Sequence, residues 1–289
     1  MSPARELSAP PGTVGLSLRA ALALIPGASL LPFVAGGGGE IPDLALALEG
    51  ARLDRERLAA YARVCGFTLR DALPGTAPHV LAFPLHMALM TDGSFPFAAV
   101  GLVHLRNRIA QHRPIGVGES LDLRVHATPL EPHAKGRTFT IVTEARIGEA
   151  LAWEEHSTML RRGAGEVAAS DRADGTAGPA LHATAEWRLP EDLGRRYAGV
   201  SGDRNPIHMH ALSAKLFGFP RAIAHGMWTK ARCLAALESS LPEAYTVEVD
   251  FRKPIFLPGH VTFAEARQRF AVRSAKDETT IHLEGTVTR

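Results

Sequence analysis

The chain contains two series of similar landmarks in the same order, and this repetition constrains its fold more than any other feature. Each series begins with a Tyr-Ala segment whose sixth residue is glycine, and it continues to a basic-Pro-Ile segment. The matched pairs are 61–67 with 197–203, Met87 with Met227, 113–115 with 253–255, and Gly118 with Pro258. Chance similarity in a chain rich in Ala, Gly and Arg is the alternative, but the shared order favours an internal duplication. We therefore predict two related halves.

Two stretches of small residues divide the chain and set the predicted domain boundaries. Residues 36–39 are all glycine, which is typical of a flexible joint. The segment 163–179 is small, polar and without hydrophobic periodicity, which is typical of a linker. The predicted parts are an N-terminal extension with one short helix (1–40), a degenerate first repeat (41–163), a linker (164–180) and a second repeat (181–289).

Hydrophobic periodicity predicts an α+β fold. Helical spacing of apolar residues predicts helices over 52–64, 211–217 and 227–237. Alternation of apolar and polar residues predicts strands over 99–105, 120–128, 137–146, 151–161, 245–252, 261–272 and 279–287. Consecutive strands with short polar turns indicate an antiparallel sheet, and one buried helix in each half indicates that the sheet wraps around that helix.

Composition excludes several classes of protein. The 32 basic and 30 acidic residues give a formal net charge of +2, so the chain as a whole offers no electrostatic face for nucleic acid. Two cysteines, Cys65 and Cys233, exclude a disulfide framework; we expect buried free thiols, although one disulfide stays open. The apolar stretch 16–34 contains an arginine and two prolines, so it predicts neither a membrane span nor a secretory signal. We expect a cytoplasmic globular protein.

The segment 197–208 carries the chemistry that the sequence suggests. Gly202 permits a tight backbone path before Asp203, and Pro206 fixes the chain before His208, so the two side chains are expected on one rigid loop. A carboxylate and an imidazole held together can bind one water and move its protons. Asn205 is placed to orient that water or one of the pair.

A second element follows at 224–227, directly before the predicted apolar helix. Gly226 would let a ligand approach the backbone closely. A free N–H at a helix N-terminus suits developing negative charge, so the Gly226 amide is a candidate oxyanion donor.

Together these motifs resemble the MaoC-like acyl dehydratases, the family of R-specific enoyl-CoA hydratases. The matching core is Ser-Gly-Asp-x-Asn-Pro-Ile-His over 201–208, followed by Ala-His-Gly over 224–226. The resemblance covers 181–289 well and the first half weakly. It implies a double hotdog, in which each half is a helix wrapped by an antiparallel sheet.

The resemblance also implies an activity and residue roles. Asp203 and His208 would be the catalytic pair, with Asn205 supporting them, and the Gly226 amide would bind the thioester oxygen. The implied reaction is the reversible hydration of a trans-2-enoyl thioester to the (R)-3-hydroxyacyl thioester, without metal, nucleotide or flavin. The acyl group would be carried by CoA or by an acyl carrier protein.

Further residues are candidate substrate contacts. They are Tyr197, Ser201 and His225, and, for the phosphates of the carrier, Arg221, Arg252 and Lys253. The first half has Phe67 where the second has Asp203, so we expect it to lack catalysis and to shape a tunnel for the acyl chain. Candidates for the tunnel wall, with ordinary core as the alternative, are Pro84, Leu85, Met87, Phe95 and Phe97.

Other functions stay open at this stage. His208, His210 and His225 lie close in sequence and include a His-x-His pair, which can bind a metal, although a loop at Pro206 disfavours that arrangement. A hotdog thioesterase and a non-catalytic acyl-CoA-binding module are the alternative functions. The sequence is compatible with a monomer or a homodimer.

Overall fold

The computed structural model describes residues 4–163, except 24, 26, 29–30 and 32–33, and residues 181–289. Its strands are β1 Arg5–Leu7, β2 Ala45–Ala51, β3 Val103–Gln111, β4 Leu121–Ala127, β5 Glu131–His133, β6 Gly136–Ile147, β7 Ala150–Arg162, β8 His182–Leu189, β9 Tyr245–Phe251, β10 Gly259–Ala266, β11 Arg269–Ser274 and β12 Ile281–Thr288. Its helices are α1 Thr13–Leu22, α2 Arg55–Cys65, α3 Ala77–Met90, α4 Leu193–Ser201, α5 Pro206–Met209, α6 Ala211–Lys215 and α7 Gly226–Leu237. The predicted linker, 164–180, lies outside the described residues.

One sheet of 12 strands runs through both halves, which confirms the predicted antiparallel α+β fold. The order β1-β2-β4-β6-β7-β3 continues as β9-β12-β11-β10-β8, and β5 pairs with β6. Only the edge pair β1–β2 is parallel among the pairs of the described residues. In the central pair β3–β9, Arg106 lies opposite Asp250 and Ala110 opposite Thr246. In the sequence match of the halves, Arg106 corresponds to Thr246 and Ala110 to Asp250. Each pair is therefore the counterpart of the other, and the register of the two central strands follows the duplication.

Each half contains a buried helix. The sequence predicted the one in the second half, but for the first half it predicted 52–64, which is the partly buried α2. In the second half the buried helix is α7, which lies over the β3–β9 junction because the Lys230 ammonium donates to the carbonyls of Asn107 and Val247 at 3.1 and 3.2 Å. In the first half it is α3, which packs against β2, β4 and β6. The sequence did not predict α3, since Pro84 lies inside the helix and almost every face of it is buried.

The chain segment that leads into the buried helix makes the same hydrogen bond in both halves. A backbone amide just before each helix donates to the carbonyl of the isoleucine in the Pro-Ile segment. These bonds run from Leu73 N to Ile115 O at 2.8 Å and from Ala224 N to Ile255 O at 2.9 Å. They make Gly75 the structural counterpart of Gly226. The sequence match of Met87 with Met227 is therefore wrong, because Met87 lies near the end of α3 and Met227 near the start of α7.

Two predicted strands have different bounds in the structure. The strand predicted over 99–105 is β3, which begins and ends later, because charged residues in its centre pair across the sheet, as Arg106 does with Asp250 at 2.8 Å. The strand predicted over 261–272 is the hairpin β10–β11, which turns at Arg267 with φ 56°. Strands β1, β2, β5 and β8 were not predicted.

The N-terminal residues take part in the fold. β1 is an edge strand of the sheet, and α1 packs against α3. The glycine run predicted as a flexible joint is hydrogen-bonded instead, from Gly36 N to Phe95 O at 2.9 Å and from Gly38 N to Pro96 O at 3.2 Å. Cys65 and Cys233 are buried free thiols, as expected. Within the described ranges, no helix combines the length and apolar character needed to cross a membrane.

Candidate active site

Asp203 and His208 lie on the connection that follows α4. Gly202 caps α4 in the left-handed conformation with φ 83°, which turns the chain toward Asp203. The Asn205 amide donates to Asp203 Oδ1 at 3.1 Å, and the Asn205 side chain caps α5 by accepting from the amide two residues on. The predicted rigid loop therefore holds only Asp203. His208 lies in α5, because Asn205 and Pro206 start a helical turn before it.

The tautomer of His208 follows from its backbone contact. His208 Nδ1 lies 2.8 Å from the carbonyl oxygen of Ile223, so Nδ1 carries the proton and donates it. Nε2 is then the free nitrogen, with a lone pair when the ring is neutral. Burial lowers the pKa of His208, and attraction to Asp203 offsets this only in part. His208 is thus a neutral base near pH 7.

Asp203 is the ionised partner of this base. Burial would raise the pKa of Asp203, but attraction to His225 and His208 and the bond from the Asn205 amide outweigh it, and the pKa is lowered. One Asp203 carboxylate oxygen and one nitrogen of each histidine all lie within 4.8 Å of one another. That separation allows one water to donate an O–H to the carboxylate and another to an imidazole.

His225 packs directly on the pair. Its ring stacks on His208 with centroids 3.7 Å apart, and its Nε2 donates to the backbone carbonyl of Asp203 at 3.0 Å. Burial lowers the pKa of His225 to about 3, so the ring stays neutral. Its buried Nδ1 has no hydrogen-bond partner among the described residues.

Gly226 is the first residue of α7, so its amide has no acceptor within the helix. A Cβ at this position would lie 2.9 Å from the ring of Phe251, closer than real Cβ contacts allow. A side chain at this position would therefore displace the Phe251 ring or the backbone, and the role of the amide as an oxyanion donor stays a prediction.

These residues line one cavity of about 340 Å³ between the two halves. The predicted site residues that line it are Asp203, Asn205, His208, His225, Gly226, Arg252 and Lys253. Arg252, Lys253 and His282 of the second half line it, together with residues of α3, β6 and β7 from the first half, which include Arg162. The site is thus shared by both halves, and basic side chains from each half contribute to its lining.

Several predicted contacts lie elsewhere. Tyr197 and Ser201 are buried behind Asp203 and do not line the cavity; the Ser201 hydroxyl accepts from the Asp203 amide at 3.2 Å. They position the motif because both lie on the buried face of α4. Arg221 lies outside the cavity, over the ring of Phe256 at 5.7 Å. The five residues suggested for the tunnel wall belong to the core, or lie against it; their neighbours Phe83, His86 and Met90 line the cavity.

Sequence reasoning missed a second polar cluster on the first-half side of the cavity. Glu155 on β7 is fully buried and accepts from His79 Nδ1 at 2.9 Å and from Asn107 at 2.6 Å. Burial raises the pKa of Glu155, but attraction to His79 and the bonds it accepts lower it to about 2. His79 and His86 lie one above the other on α3. Two histidines at this spacing in an apolar run were the available signal.

Among the residues that the structure describes, two groups of three side chains lie close enough together to hold a metal ion. They are Asp203, His208 and His225, and His79, His86 and Glu155. In both groups, hydrogen bonds to protein atoms account for the orientation of the histidines: His208 bonds Ile223, His225 bonds Asp203, His79 bonds Glu155 and His86 bonds Thr143. The arrangement therefore has a hydrogen-bonding explanation that needs no ion.

Known proteins share this architecture and sequence. The chain is 39% identical over 220 residues to 3-hydroxyacyl-thioester dehydratase X of Mycobacterium tuberculosis, which covers 76% of this chain and 79% of that protein. The profile of the MaoC like domain matches residues 173–287. The chain belongs to the MaoC-like family. The resemblance that the motif suggested is thereby confirmed.

Solved structures of MaoC-like proteins have the same fold. The crystal structure of HtdX from M. tuberculosis is 36% identical, with a TM-score of 0.75 over 84% of this chain and 98% of that one. A MaoC-like dehydratase from Phytophthora capsici, 16% identical, has a TM-score of 0.68 over 85% of this chain and 95% of that one. A further M. tuberculosis protein, 16% identical and described as a double hotdog, has a TM-score of 0.56 over 87% of this chain and 98% of that one. The double hotdog is therefore the fold of this member of the MaoC-like family.

Proposed function

We propose that this protein is a hydro-lyase that reversibly adds water to trans-2-enoyl thioesters, giving (R)-3-hydroxyacyl thioesters. The observation that carries the proposal is the meeting of a carboxylate, an imidazole and a helix-terminal amide at one cavity. Asp203 and His208 are spaced to hold one water, and Gly226 presents its amide beside them. The identity with a protein named 3-hydroxyacyl-thioester dehydratase supports the same class of reaction.

In the hydration direction, the Gly226 amide would hydrogen-bond the thioester oxygen and draw electrons from C3. The water held by Asp203 and His208 would lose a proton to the pair as its oxygen bonds to C3. The C2=C3 electron pair would move toward the thioester oxygen, giving an enolate that the amide stabilises. The pair would then return a proton to C2. One water is consumed, and dehydration is the same path in reverse.

The residues that line the cavity suggest how the thioester lies. Arg252, Lys253 and His282 suit the phosphates of CoA or of a carrier-protein prosthetic group. The acyl chain would then extend toward α3 in the first half. Because both halves contribute to the cavity, the proposed site is complete within one chain. We also propose that the reaction takes place in the cytoplasm.

The first experiment replaces the proposed catalytic pair. Asp203→Asn and His208→Gln should each lower kcat for an enoyl-CoA about 10²–10⁴-fold, because each removes a group that exchanges protons with the reacting water. His210→Gln is the matched control, since His210 is an exposed histidine two residues from His208. The control should keep the wild-type rate, and all variants should keep the wild-type Tm. Wild-type rates in both pair variants would contradict the proposal.

A further inference from the structure

The first-half wall of the cavity contains polar atoms that an alkyl chain could not satisfy. His79, His104 and Ser157 line this wall. His79 uses Nδ1 for Glu155, and its Nε2 has no partner among the residues that the structure describes. Nε2 of His104 is buried and also has no partner. The Ser157 hydroxyl accepts a bond from Asn107 at 2.9 Å but donates to no described acceptor.

A chain of buried hydrogen bonds fixes these groups. The Lys230 ammonium donates to the side-chain oxygen of Asn107, so the Asn107 amide nitrogen must face away from it. That nitrogen donates to both Glu155 and Ser157. Glu155 then accepts from His79 through its other oxygen. The chain leaves the Ser157 hydrogen free to be donated, and in neutral His79, whose Nδ1 donates to Glu155, Nε2 is the acceptor.

The polar wall and the proposed reacting atoms face one cavity, because His79 and Asp203 both line it. When substrate displaces water, each unpaired polar atom left against alkyl groups costs about 1–3 kcal/mol. A substrate with a matching polar group avoids that cost.

We propose that the preferred substrates carry a hydroxyl group on the acyl chain beyond C3, and that His79 and Ser157 bind it. One hydroxyl can donate to His79 Nε2 and accept from the Ser157 hydroxyl, which satisfies both. Glu155, Asn107 and Lys230 act as positioning residues for this pair. The inference rests on the proposed function, because it names the acyl group that the same site would take.

The test compares enoyl-CoA substrates of one chain length, with and without a single hydroxyl at successive carbons beyond C4. Wild-type protein should prefer one hydroxylated isomer at least about tenfold in kcat/KM, because a site built for a hydroxyl rejects the analogue that lacks it. His79→Leu should abolish the preference, and His79→Gln should retain part of it because its side chain still forms hydrogen bonds. Phe83→Leu, one turn away on the same wall, should leave the ratio unchanged.

The outcomes separate this inference from the proposed function. Turnover of unsubstituted chains with a ratio near one for every isomer would overturn the inference and leave the function standing. An equal fall in kcat for both substrates in His79→Leu would instead make His79 part of the reaction chemistry, which also overturns it. If no thioester is turned over, Kd values of the same compounds for Asp203→Asn decide the inference alone, and equal Kd values overturn it.

Discussion

At the residue scale, Gly226 is a position where the site leaves little room for a side chain. A Cβ there would meet the Phe251 ring at 2.9 Å and displace the amide that we assign to the thioester oxygen. Gly226→Ala should therefore lower kcat about 10²-fold, the effect of losing one such donor. Gly199→Ala is the matched control, because this helical glycine has open space around it. A wild-type kcat in Gly226→Ala would remove the amide from the mechanism.

The sequence predicted the site residues that share one short motif, because local spacing alone brings them together. Asp203, Asn205 and His208 all lie in the short segment 203–208. Gly226 was recognised from its position directly before an apolar helix. It did not predict the cluster of His79 and Glu155, since these residues meet only through the packing of α3 on β7. Tertiary contacts of this kind leave no spacing signal in a single sequence.

At the element scale, Lys230 ties α7 to the central strands β3 and β9. Lys230→Met should lower the free energy of unfolding by about 3 kcal/mol, because it leaves buried acceptors of Asn107 and Val247 without a donor. Urea unfolding measures the change. Lys253→Met, an exposed lysine at the cavity mouth, is the control and should stay within about 0.5 kcal/mol of the wild type. Equal values for the two variants would show that Lys230 does not hold the elements together.

Regular alternation of apolar and polar residues made some elements predictable from sequence, and near-complete burial hid others. The prediction over 245–252 matches β9 to within one residue, because its residues alternate between the core and solvent. Helix α3 was missed, since it is buried nearly all round and contains Pro84. The predicted start and end of β3 were too early in the chain. Its arginines are not typical of the centre of a strand unless their partners across the sheet, such as Asp250, are known.

At the scale of the whole molecule, buried neutral histidines should make stability depend on pH. Burial lowers the pKa of His86 to about 4 and the pKa values of His104 and His225 to about 3. The unfolded chain therefore binds more protons below pH about 6.5, and stability is lost as the pH falls. Each histidine should contribute about 1.4 kcal/mol per pH unit near pH 5. Glu155, with its lowered pKa, adds to the loss below pH about 4.5.

Urea unfolding at a series of pH values checks this dependence. The free energy of unfolding should fall steadily from pH 6.5 to pH 4. His104→Gln removes one of the titrating groups. It should reduce the slope of the free energy of unfolding against pH by about 1.4 kcal/mol per pH unit near pH 5, the contribution of one histidine. A free energy that is constant over this range would contradict the burial of neutral histidines at the centre of the molecule.

The central claim is that Asp203 and His208 add water to an enoyl thioester without breaking the thioester bond. The most direct measurement follows enoyl absorbance and free thiol together in one sample of wild-type protein with a 2-enoyl-CoA, and determines the configuration of the product. We predict loss of the enoyl absorbance, no release of thiol, and an (R)-3-hydroxyacyl product, with the rate abolished in Asp203→Asn. Release of thiol while the enoyl absorbance persists would contradict the account and identify a thioesterase instead.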